Sequence, residues 1–102
     1  MMLIKSEHER TIDDLVSRLA KKYPDNRLHR NMEYKKTYNS GVKGQIDLLR
    51  VTPEGLHVMY EIKTGKAKYC SAQSQYRRFE KYFPDLNTKG VYVHPQNGVR
   101  RL

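Results

Sequence analysis

Two kinds of apolar spacing alternate along the chain. Ile12, Leu15, Val16 and Leu19 recur at i, i+3, i+4 and i+7, the stripe of an amphipathic helix. Ser6 with Glu9 three residues on has the form of a capping box, and Pro24 disfavours helical geometry at Tyr23. A helix is therefore predicted near 7–22. Leu28, Met32, Tyr34 and Tyr38, with basic residues between them, suit a strand over 28–38, and a loop over 39–44 follows. Residues 45–51 and 56–63 are rich in Ile, Leu, Val and Tyr, and Thr52-Pro53-Glu54-Gly55 separates them with two turn formers, the pattern of a β-hairpin. Ala72, Tyr76, Phe79 and Phe83 return to helical spacing over 71–83, which Pro84 ends. Val91-Tyr92-Val93, between Gly90 and Pro95, reads as a last strand. The predicted order is α-β-β-β-α-β, an α/β fold with a mixed β-sheet flanked by helices.

The size and charge narrow the function. At 102 residues the chain has room for one domain. Its 20 Lys and Arg against 11 Asp and Glu leave +9, spread over both halves rather than gathered in a tail, so a polyanion is the expected partner. No run approaches the roughly 20 apolar residues of a membrane helix, and residues 1–5 are too short for a signal-peptide core. A soluble, intracellular, cytoplasmic protein without a membrane partner is expected. Cys70 alone rules out an internal disulfide and a multi-thiolate zinc site. His8, His29, His57 and His94 are scattered without ligand spacing. No Gly-rich phosphate loop occurs, and Ser40 and Ser71 lack partners at motif spacing.

The sharpest conflict lies in the hairpin. Asp47 sits between Ile46 and Leu48, and Glu61 and Lys63 flank Ile62, inside otherwise apolar strands. Alternation puts Glu61 and Lys63 on one face. A turn centred on Glu54 sets Asp47 opposite Glu61, so two carboxylates converge beside an ammonium. Like charges that close raise one pKa unless a cation lies between them. Mg²⁺ or Mn²⁺, which takes oxygen ligands and keeps several waters, suits two carboxylates and a substrate phosphate. Lys63 would then orient the attacking water or stabilise charge building on phosphorus. The plainer alternative is a Glu61–Lys63 pair on a solvent face, with Asp47 at an exposed strand end.

Gly44-Gln45-Ile46-Asp47 and Glu61-Ile62-Lys63 resemble the motifs of the PD-(D/E)XK nuclease superfamily, with Gln45-Ile46 in place of the commoner small residue and proline. Thr64-Gly65-Lys66 and the glutamine-bearing second helix look most like small VRR-NUC nucleases, and the layout also resembles Holliday-junction resolvases. The resemblance implies a restriction-endonuclease-like core and a metal-dependent nuclease. It implies Asp47 and Glu61 as metal ligands and Lys63 as the catalytic lysine. It also implies a Glu on the first helix, best matched by Glu9, and a Gln on the second, better matched by Gln75 than Gln73. Glu9 as metal ligand and Glu9 as capping residue remain alternatives.

Arg27, Arg30, Lys35, Lys36 and Lys43 precede this site, and Lys66, Lys68, Arg77 and Arg78 follow it. Both sets are candidates to line one nucleic-acid groove, with binding that weakens as salt rises. Tyr34, Tyr38, Tyr69 and Tyr76 are candidates to stack on unpaired bases or to fill the core. A small domain without a recognition module favours structure over sequence, so branched or single-stranded DNA is the expected substrate and endonucleolytic cutting the expected action. A homodimer would place two sites on two strands. The competing class is a non-catalytic nucleic-acid-binding protein in which the same residues form a structural ion cluster.

Overall fold

The computed structural model describes residues 4–35, 43–66 and 69–102, and Lys35 and Lys43 by their backbone only. Helix α1 (Glu7–Lys22) begins where the capping pattern placed it. The Ser6 hydroxyl accepts the Glu9 N–H at 3.1 Å. Glu7 and Glu9 in the first turn and Lys21 and Lys22 in the last both oppose the helix dipole. Strands β1 (Arg27–Lys35), β2 (Lys43–Val51) and β3 (Leu56–Ile62) follow. Helix α2 (Tyr69–Tyr82), β4 (Asn87–His94) and β5 (Gly98–Arg101) complete the chain. The sheet order is β1-β2-β3-β4-β5. Only β3 and β4 pair in parallel. A parallel pair cannot be joined by a tight turn, and α2 supplies the crossover.

The two helices cover opposite faces of this mixed sheet. Ile12 and Leu19 of α1 pack with Leu48, Val58, Tyr60, Ile62 and Val93. Tyr76 and Phe79 of α2 pack with Ile46, Leu49, Val51 and Met59. Arg50 is buried but satisfied: it donates to the Tyr60 hydroxyl at 3.0 Å and to Asn26 Oδ1 at 2.7 Å, and its guanidinium lies 4.0 Å over the Tyr23 ring. None of the described helices is long and apolar enough to cross a membrane.

Several elements differ from expectation. β2 starts at Lys43, within the expected loop, because Gly44 pairs with Tyr34 across the ladder. The ring of Tyr34 lies over Gly44, where any Cβ would enter it. β4 extends from Asn87, longer than Val91–Val93, since its polar first residues pair with β3 regardless of side chain. β5 was not expected at all; its four residues are exposed and carry no alternation. The turn before it is organised by buried His94, whose Nδ1 accepts the N–H groups of Gln96 and Asn97, each at 3.1 Å. Its Nε2 must therefore carry the proton, and it donates to the Gly65 carbonyl at 2.9 Å. His94 thereby fastens the loop that follows Lys63. Residues 36–38 of the expected first strand, with Tyr38, and loop residues 39–42 lie outside the described residues.

Candidate functional site

The site is built where regular pairing stops. β1 and β2 keep one register on both sides of Asn31 and Asp47, but that pair itself is skipped. Asn31 adopts a left-handed φ of 52°, which asparagine tolerates better than most residues. Ile46 and Leu48 are two apart and should share a face. Instead Ile46 belongs to the α2-side core and Leu48 to the α1-side core, so the backbone turns over at Asp47.

The β2–β3 ladder also ends there. Its register follows the expected turn from Val51↔His57 to Leu48↔Tyr60. The expected direct pairing of Asp47 with Glu61 does not form. In its place Asp47 Oδ2 accepts the Ile62 N–H at 3.0 Å, substituting a carboxylate for a main-chain carbonyl. This places the Asp47 carboxylate in the seam between the strands. From the α1 side, His8 Nε2 comes to 3.4 Å of the same oxygen.

Glu61 shares the face of Met59 and looks toward α2. It is 1% exposed, and its Oε1 has no hydrogen-bond partner. Burial, then the Asp47 charge, pushes its carboxyl up to about 8, against the opposing pull of Lys63. Gln75 on α2 also holds a buried Oε1 without a partner. Lys63 is half-buried, and its N–H donates to Val93 O at 3.0 Å. By alternation its side chain follows Glu61, yet the two make no direct ion pair among the described residues.

Asp47 and Lys63 are thus both within electrostatic reach of Glu61, and Gln75 on α2 holds another buried acceptor without a partner. Glu9 does not join them. It is exposed, and the inward position of the first turn belongs to His8, four residues before Ile12. Residues four apart stack on one helix face, so the spacing His8, Ile12, Leu15, Leu19 carried the signal.

Of the described basic residues, Arg30 lies on the α1 side of the sheet and Arg77 and Arg78 on α2. Arg30 is engaged by Asp13 at 2.8 Å beside α1. Arg78 is close enough to Tyr34 to act on its phenol, whereas Arg77 lines a cavity toward β4 and β5. Lys66 is exposed. Lys36 and Lys68 lie outside the described residues, and for Lys35 and Lys43 only the backbone is described. Tyr34 packs with Phe79, Tyr82 and Phe83, so it belongs to the aromatic cluster rather than to an open stacking surface. Burial raises its phenol, and the Glu61 charge adds to that.

Among the described residues no group of three His, Cys, Asp or Glu side chains is close enough to cage a metal ion. Two carboxylates, one buried with an unsatisfied oxygen, suit a hard cation that keeps part of its water shell.

No protein family model matches the chain, and no curated protein does. The fold is similar to the crystal structure of SSO0001, with a TM-score of 0.58 and 17% sequence identity. The match covers 93% of this chain and 48% of that one, so the chain spans about half the length of that protein. At this identity the similarity concerns the fold alone.

Proposed function

We propose that the protein is a divalent-cation-dependent nuclease that hydrolyses phosphodiester bonds, with DNA as substrate and branched or single-stranded regions as the preferred target. A restriction-endonuclease-like core and cytoplasmic location belong to this reading. The observation that carries it is the Glu61 carboxyl, buried beside Asp47 with Oε1 unsatisfied. Burying a carboxyl beside a second acid without a counter-cation is costly, and Gln75 Oε1 is another buried acceptor without a partner.

Asp47 and Glu61 would hold Mg²⁺ or Mn²⁺. Bound there, the ion supplies a polarised phosphate and a water of lowered pKa. The Ile62 N–H and His8 fix Asp47 Oδ2, which leaves Oδ1 for the ion-facing role. The Lys63 ammonium orients the attacking water and offsets negative charge on the scissile phosphate. Gln75 positions that water through its amide. Glu9, exposed at the cap, serves the helix. Cutting two strands of a branched DNA takes two such sites, which a homodimer supplies.

A second reading has one observation on its side. Because Asp47 already closes the ladder by accepting the Ile62 N–H, its role in this reading is structural, and the chain binds nucleic acid without cutting it. Asp47→Asn separates the two, since the amide oxygen still accepts that N–H. Labelled linear, flapped and four-way-junction DNA should be cleaved by wild type in Mg²⁺ or Mn²⁺ and spared by Asp47→Asn and Lys63→Ala. Binding without cleavage in every condition would leave the second reading standing.

A further inference from the structure

The flank of α2 turned away from Glu61 carries polar side chains that the proposed hydrolysis does not use. A cavity of about 310 Å³ lies between α2, β4 and β5. Arg77 and Glu80 line it from α2, Thr88 and Gly90 from β4, and Arg101 from the end of β5. At Gly90 an added Cβ would come within 2.6 Å of the Tyr76 ring, so β4 presents bare backbone under that ring. The Tyr76 and Thr88 hydroxyls hydrogen-bond at 3.1 Å, which fixes one wall. Neither Arg77 nor Arg101 makes an ion pair among the described residues. Arg77 and Arg101 thus line one small cavity with Glu80 as its single acidic side chain, and the Arg101 charge is close enough to act on the Tyr76 phenol.

The end of β5 is fastened to the start of α2. The Tyr69 hydroxyl donates to the Arg101 carbonyl, and the Tyr69 ring meets Tyr92 edge-on at 5.3 Å. The Arg100 guanidinium lies 4.0 Å over the Tyr69 ring. A guanidinium held on an aromatic ring offers its outer side to a nucleobase, as arginine planes do in single-strand recognition. The neighbouring guanidinium of Arg101 meets the geometry of phosphate oxygens. No acidic residue occupies the first turn of α2.

We propose that this cavity binds a backbone phosphate of single-stranded nucleic acid, through Arg77 and Arg101, while Arg100 over Tyr69 stacks on an adjacent base. The phosphate site stands on its own geometry; the choice of a strand over a free phosphate ester rests on the proposed function. It lies on the opposite flank of α2 from Gln75 and Glu61, so it holds substrate away from the reacting bond.

The test is binding of a fluorescent short oligothymidylate in EDTA, read by anisotropy across a salt series. Arg101→Gln should weaken binding about five- to tenfold and reduce the slope of log K against log salt by about 0.7, the loss of one phosphate contact on a single strand. Glu80→Gln should tighten binding about two- to fivefold by removing the opposing carboxylate. Glu54→Gln makes the same charge change at the exposed hairpin turn and should alter affinity far less. If Arg101→Gln and Glu80→Gln move affinity no more than Glu54→Gln, the proposal is overturned. If millimolar inorganic phosphate displaces the oligothymidylate as well as unlabelled oligothymidylate does, the site takes free phosphate and the strand assignment falls. Because no cation is present and nothing is cut, the outcome is independent of whether the Asp47 and Glu61 site hydrolyses DNA.

Discussion

At the turn end of the β2–β3 hairpin Thr52 satisfies its neighbours' main-chain groups; at the other end the Asp47 carboxylate stands in for regular pairing and Glu61 holds a buried oxygen without a partner. Thr52 exchanges main-chain hydrogen bonds with Leu56 and Gly55, and its hydroxyl accepts the Leu56 N–H at 3.0 Å. Leu48 and Val58, next along the same strands, are fully buried among apolar neighbours. One residue beyond Leu48 the ladder ends, Asp47 takes the Ile62 N–H, and Glu61 keeps a buried oxygen unsatisfied. The same two strands therefore carry a stabilising half and a half that is held in place by it. Unsatisfied polarity confined to one end of an otherwise satisfied element points to a ligand rather than to poor packing.

Adjacent residues across this divide should give opposite phenotypes. Asp47→Asn or Lys63→Ala is expected to lower cleavage at least about 10²-fold with little change in thermal stability. Leu48→Ala, one position on, should cost about 2–5 kcal/mol of stability and leave the cation affinity of the remaining folded protein unchanged. Denaturant melts set beside cleavage rates would show whether the two properties separate between neighbouring positions.

Glu61 offers a test by pH. Its carboxyl ionises at about 8 in the folded chain against an ordinary value of 4.5. Between those values the folded state holds a proton that the unfolded state has released, so the stability of the cation-free protein falls as pH rises from about 4.5 to about 8. Glu61→Gln lacks that fall. Thermal melts in EDTA should show it gaining on wild type from about pH 5 to about pH 8.5, by up to a few kcal/mol. Parallel pH profiles would mean that Glu61 is not held protonated by its surroundings.

Smaller effects are expected farther from the seam. Thr52→Val removes the hydroxyl that accepts the Leu56 N–H and should cost about 1 kcal/mol without touching cleavage. His8→Gln should weaken the apparent cation affinity a few-fold through the placement of Asp47, whereas Glu9→Gln should change neither affinity nor turnover. Equal effects at positions 8 and 9 would contradict the inward placement of His8.

How far the sequence foretold this site depended on whether the information was local. α1 was legible because Ser6, Pro24 and the apolar stripe all mark the same boundaries. The hairpin register was legible because Thr52-Pro53-Glu54-Gly55 fixes the turn, and the register then holds through Leu48↔Tyr60. The break at Asp47 was not, since it depends on Asn31 across the ladder turning to positive φ, and nothing beside Asp47 in the chain announces it. His8 was passed over for Glu9 because the resemblance called for a Glu on the first helix and Glu9 lies three residues before Ile12, although helical stacking over Ile12 favours position 8. β5 escaped because its pairing rests on a turn organised by His94 rather than on any pattern in Val99-Arg100-Arg101.

The most direct measurement is calorimetric titration of the protein with Mn²⁺ near pH 7 in buffers of different ionisation enthalpy. With the Glu61 carboxyl at about 8 in the cation-free chain, binding should expel about one proton per ion, and both binding and proton release should be lost in Asp47→Asn and Glu61→Gln. Absence of Mn²⁺ binding, or binding that persists unchanged in those two proteins, would contradict the assignment of Asp47 and Glu61 as a cation site.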